Sequence, residues 1–138
     1  MSLPILLDTC AAMYILDHKP MKKAAVEAID AATDFGGRVF VSPITAWEVG
    51  MLVSKGRFRS RYTPEKWLEQ LQALPNLAMT AMPAELLMKS SFLPGIPPRD
   101  PWDRVVIATG REYGYTVITS DRAMLEYAQE GHLSALEC

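Results

Sequence analysis

Cysteine and histidine are nearly missing from this chain: two of each occur in 138 residues. Cys10 and Cys138 are too few for a disulfide-stapled scaffold and read as reduced thiols. His18 and His132 stand alone and far apart, so no zinc site with its ligand spacing is present. An excess of one charge is also lacking: 14 basic residues face 16 acidic ones, for a net charge of −2. That excludes a global cationic field for tight nucleic-acid binding, but not an enzyme with a local contact. No apolar run is long enough to span a bilayer. The opening "MSLPILLDTCAAMYIL" is broken by Pro4 and Asp8 and carries no basic leader. A cytoplasmic protein is expected. No glycine-rich phosphate cradle follows the first apolar run, which argues against a nucleotide cofactor.

What is present is an ordinary globular composition, 49% hydrophobic and 22% charged, long enough for one domain with a real core over residues 1–138. Short apolar runs alternate with helical patterns. "LPILL", "RVFVS", "LAMTAM" and "YTVITS" read as strands, and "HLSAL" as a closing edge strand. Between them, "CAAMYIL", "MKKAAVEAIDAATDFG", "PITAWEVGMLVSKG", "PEKWLEQLQAL", "PAELLMKSSFL", "PWDRVVIATGREYG" and "DRAMLEYAQEG" read as helices. Gly36 and Gly37 are expected to stop the second helix, Gly56 the third and Gly114 the sixth. Thr9 is expected as a helix cap. The pattern predicts a three-layer α/β/α fold with a short-stranded, mainly parallel central sheet.

Acidic residues fall at suspicious places in this plan. Asp8 and Asp121 end strands, where ligands bind in an open parallel sheet; a cap for the next helix explains each equally well. Glu48 lies in "PITAWEVGMLV", apolar on most faces, which predicts a buried helix whose lone glutamate needs a partner or a metal. Arg104 or a cation would serve. In "PPRDPWDRVVIATG", Asp100 suits the N-cap, Pro101 the first helical position and Asp103 the third, where a carboxylate closes a capping box. Four acids gathered at one edge would repel and raise their own pKa values, a cost that Mg²⁺ or Mn²⁺ in an all-oxygen site removes.

"LLDTCAAMYIL", "VSPITAWEVGMLVSKGRF", "PRDPWDRVVIATGREYGYTVITSDRAML" and "YAQEGHLSAL" together resemble the PIN-domain family, and within it the VapC-type toxins. The resemblance runs over essentially the whole chain, with the motifs in family order. It places the family acids on Asp8, Glu48, Asp103 and Asp121, with Asp100 as a further candidate, and small hydroxyls of the site on Thr9 and Ser120. It departs at Pro98, where many relatives have histidine. It implies a metal-dependent ribonuclease that forms homodimers and is held inactive by a cognate VapB-like antitoxin.

Phosphodiester hydrolysis needs an activated water and a shield for phosphate charge, and divalent cations supply both. Asp8 is expected as the central ligand, Glu48 and Asp103 as its companions, and Asp121 at a second ion or a water. For RNA, "KGRFRSR" offers Arg57, Arg59 and Arg61, with Phe58 to stack on a base; a solvated basic loop is the plain alternative. Arg99 and Arg104 flank the acids and are further candidates for phosphate. Two rival readings are a catalytically weak interaction protein whose acids are caps under a protein partner, and a structure-specific DNA nuclease. The second lacks the long helical additions that would clamp a duplex.

Overall fold

The computed structural model describes residues 4–34 and 38–138. The strands are β1 (Ile5–Leu7), β2 (Val39–Val41), β3 (Leu77–Met79), β4 (Thr116–Thr119) and β5 (Ala135–Glu137). The helices are α1 (Thr9–Leu16), α2 (Lys23–Asp34), α3 (Ile44–Ser54), α4 (Pro64–Gln72), α5 (Ala84–Lys89), α6 (Pro101–Tyr113) and α7 (Arg122–Gln129). Every expected element is found, in the expected order. The third strand and the fifth helix are shorter than their apolar patterns, and Gly36 and Gly37 lie outside the described residues. Gly114 does end α6, at φ 73, a left-handed conformation that glycine adopts without a Cβ clash.

The sheet order is β3-β2-β1-β4-β5, and each neighbouring pair is parallel. Strands this short still hold because they are covered on both faces. Ile5 and Leu7 of β1 join one core with Ala11, Leu16, Ala25, Trp67 and Leu71. Leu6 faces the other core, with Val106, Ile107, Met124 and Tyr127. The sheet is therefore sandwiched between α1, α2 and α4 on one side and α6 and α7 on the other. The expected α/β/α layering is present.

β1 is the point where the order turns: the chain first builds outward through β2 and β3, then returns to lay β4 on β1's free side. A topological switch of this kind leaves a crevice beyond the carboxyl ends of the two strands that flank it. Residues just after β1 and β4, and the first turn of α6, which precedes β4, all lie at that edge. No helix of the described residues is long and apolar enough to cross a membrane.

Candidate active site

Asp8 follows β1 and caps α1: its Oδ1 accepts the Ala11 N–H at 2.8 Å. Its Oδ2 accepts the hydroxyl proton of Thr119, the last residue of β4. Asp8 is only 3% exposed. The expected cap, Thr9, is instead the first residue of the helix. Asp8 takes the cap because its carboxylate reaches back to the free N–H groups, which leaves the Thr9 hydroxyl to donate to Glu48 Oε2 at 2.8 Å. That hydroxyl also lies 3.0 Å from the Thr45 hydroxyl.

Glu48 sits in the second turn of α3, the helix that follows β2. α3 is not buried all round, as its composition suggested. Ile44, Thr45 and Val49 are buried, but Trp47 is 57% exposed. The apolar content outruns the surface that α6, α4 and α1 cover, and Trp47 meets the edge of Trp102, at a centroid distance of 5.5 Å. The partner of Glu48 is a hydroxyl, not Arg104. The Arg104 Nε donates to the Pro98 carbonyl at 2.7 Å, so the guanidinium ties down the proline loop instead of pairing with Glu48 or Asp8.

Asp100 is the N-cap of α6, accepting from Trp102 N–H at 2.8 Å and more weakly from Asp103 N–H at 3.4 Å, with Pro101 as the first helical residue. Asp103 closes no capping box. Among the described residues its carboxylate has no hydrogen-bond partner: it does not reach back to the Asp100 N–H as a capping box requires. Asp121 is the N-cap of α7, accepting from Met124 N–H at 3.0 Å. The Cys10 thiol lies beside Asp8, and its ionisation is pushed up to about 12 by burial and by the charge of Asp8. The thiol is therefore protonated at neutral pH.

The electrostatics follow from burial without neutralisation. Desolvation pushes the Asp103 carboxyl up to about 8, with the charges of Asp100, Asp121, Glu48 and Asp8 adding to it. Desolvation also lifts Asp8 to about 6, against the opposing hydrogen bonds from Thr119 and Ala11. Glu48 is raised for the same first reason, opposed by Thr9. The ion pairs among the described residues lie elsewhere, at Lys22–Glu137, Lys23–Glu27, Lys66–Glu69 and Lys89–Glu112. The acids thus share one electrostatic neighbourhood. Even so, among the described residues no three His, Cys, Asp or Glu side chains stand close enough to hold one ion as they are now placed.

An acid whose folded value lies above its unfolded one makes the folded state the better proton binder, so stability falls as pH rises between the two values. For Asp103 that window runs from 3.8 to about 8. Without metal, Asp103→Asn is expected to melt above the wild type at about pH 8.5, the gap narrowing toward roughly pH 5. A gap independent of pH would contradict the burial of this carboxyl.

The basic loop is divided. Arg57, Arg59 and Arg61 are exposed, and Arg61 lies over the Tyr62 ring, 5.1 Å from its centroid. Phe58, expected to stack on a base, turns inward and packs edge-on against Trp67 at 6.4 Å. The loop returns the chain to α4, and its aromatic is used to seat that helix. Thr45 and Thr119, the buried hydroxyls beside Thr9 and Asp8, carry no motif that marks them in the sequence. The one available signal was a threonine ending an apolar strand or lying inside an apolar helix.

These features define a class: an α/β/α protein with unneutralised carboxylates at the switch point of a parallel sheet. The PIN domain model matches residues 5–130, and the chain belongs to that family. It is similar to ribonuclease VapC22 of Mycobacterium tuberculosis, with 29% identity over 128 residues, covering 87% of this chain and 88% of that protein. Its fold is similar to VapBC2 from Rickettsia felis, solved bound to a DNA fragment from their promoter. The TM-score is 0.67 at 13% identity, over 96% of this chain and 98% of that one. FitAcB from Neisseria gonorrhoeae is also similar, with a TM-score of 0.57 at 17% identity, over 96% of each chain. At such identities the structural likeness concerns the fold alone.

Proposed function

We propose that this chain is a metal-dependent endoribonuclease of the VapC type, acting as the toxin of a toxin–antitoxin pair. The observation that carries the reading is the acid set itself. Asp8, Glu48, Asp103 and Asp121 come from four separate elements to one sheet edge, with no basic side chain paired to them among the described residues. The donors suit a hard divalent cation such as Mg²⁺ or Mn²⁺: all are oxygen, each keeps free lone pairs, and Asp103 has no other partner among the described residues. Rotation of at least one of these side chains would be needed to bring three of them onto one ion. A bound cation would lower the pKa of an attacking water and offset phosphate charge.

The protein's own part is positional. Asp8, Glu48 and Asp103 would hold the cation, and Asp121 a second one or a water. Arg57, Arg59 and Arg61, all exposed, would meet the phosphates of an RNA strand, and Arg104 would do so only with the guanidinium nitrogens not bonded to Pro98. The similarity to VapC22, named as a ribonuclease, favours RNA over DNA as the substrate. A cognate VapB-like antitoxin, a homodimeric state, a single domain over the chain and a cytoplasmic location belong to the same reading.

The rival in which the acids are merely caps gains from the structure, since Asp8, Asp100 and Asp121 do cap α1, α6 and α7. It leaves Glu48 and Asp103 unexplained, because neither caps anything, and burying either carboxylate without a counter-charge costs stability. Thermal melting separates the two readings. Saturating Mn²⁺ or Mg²⁺ is expected to raise the melting temperature of the wild type through ligand linkage. Identical melting with and without the ion would favour caps alone.

A further inference from the structure

The site's best-held carboxylates share one construction. The β1–β4 register pairs Leu7 with Ile118, so the next residues along, Asp8 and Thr119, also come side by side. The Thr119 oxygen accepts the Asp121 N–H at 2.9 Å. A threonine hydroxyl has a single proton, and here it goes to Asp8 Oδ2. One hydroxyl therefore ties Asp8 to the backbone that carries Asp121. On the other side, Thr9 spends its only proton on Glu48 Oε2. The 3.0 Å contact between the Thr9 and Thr45 hydroxyls must then run from Thr45 to Thr9. Both chains have the same order, from donor to hydroxyl to carboxylate, and each hydroxyl is polarised by the donor behind it.

Thr45 and Thr119 are fully buried. Valine has their shape, would suit a buried strand end or helix, and would bring no polar atom to satisfy. Packing alone thus gives no reason for a hydroxyl at either place. We propose that Thr45 and Thr119 are positioning residues of the acid site, fixing the rotamers of Glu48 and Asp8 before a cation arrives. The inference rests on the metal-dependent reading above. Neither threonine touches the ion or the substrate; each acts through the carboxylate, directly for Thr119 and through Thr9 for Thr45.

Calorimetric titration with Mn²⁺ tests this on the wild type, Thr119→Val, Thr119→Ser, Thr45→Val and Thr45→Ser, with folding checked by circular dichroism. Thr109→Val is the control, since the Thr109 hydroxyl is equally buried but, among the described residues, serves the Val105 carbonyl of its own helix alone. The valine variants at 45 and 119 are expected to bind Mn²⁺ about 10- to 100-fold more weakly, as when outer partners of metal ligands are lost. The serine variants should restore affinity, and Thr109→Val should leave it unchanged. Valine variants that bind as tightly as a binding wild type, or serine variants as weak as valine, would overturn the relays. A wild type that takes up no Mn²⁺ would instead overturn the metal reading on which they rest. Should Thr119→Val not fold, the Thr45 pair decides with the same outcomes.

Discussion

Asp103→Asn is expected to lower RNA cleavage by about a thousandfold, the equivalent of roughly 4 kcal/mol of transition-state stabilisation, while Asp100→Ser keeps both rate and fold. The two residues lie three apart on α6 and do different work. Asp100 accepts the N–H groups of Trp102 and Asp103, a task serine performs comparably at an N-cap. Asp103 accepts nothing among the described residues and carries a carboxyl that burial pushes up to about 8. Asparagine keeps its size and relieves that cost, so the variant should be folded and, without metal, at least as stable. What it loses is the negative charge that would hold a cation. An inactive Asp100→Ser beside an active Asp103→Asn, both folded, would move the third ligand to Asp100.

Asp8→Asn should be equally damaging to cleavage and should also remove the stabilisation by Mn²⁺, again without unfolding the protein. Asparagine is as good an N-cap as aspartate, so the bond to Ala11 N–H survives. Only one amide oxygen remains, however, for the three partners that want it: Ala11, Thr119 and the cation. The amide nitrogen would face the Thr119 hydroxyl, which can then turn its proton away. Near neutral pH the metal-free variant should melt no lower than the wild type, because the carboxyl it replaces is buried and raised to about 6. A large loss of stability with unchanged cleavage would make Asp8 a structural cap and nothing more.

The order of elements and the sheet's parallel character were legible because glycine and proline punctuate this chain at nearly every junction. Even the three-residue strand Ala135–Glu137 was visible as an apolar tail after Gly131. The placement of Asp8 and Asp121 was legible too, since strand ends in a parallel sheet share an edge. The hydroxyl relays were not. Thr9 meets Glu48 across 39 residues and Thr119 meets Asp8 across 111, and such pairs depend on strand register and helix rotation that composition does not encode. The exposure of Trp47 escaped for a related reason: an apolar helix reads as buried, yet how much of it is covered depends on its neighbours. Phe58 looked like a base-stacking aromatic because it sits among arginines; Trp67, which it packs against, lies nine residues away on the next helix.

The central claim is that the acids of this sheet edge hold a divalent cation used to cut RNA. Its most direct measurement is cleavage of an unpaired RNA by the purified protein, first stripped with EDTA and then supplied with Mn²⁺ or Mg²⁺, with Asp8→Asn run alongside. Cleavage absent in EDTA, restored by the ion in the wild type and not restored in Asp8→Asn is the predicted result. Cleavage that persists in EDTA, or that Asp8→Asn retains, would contradict it.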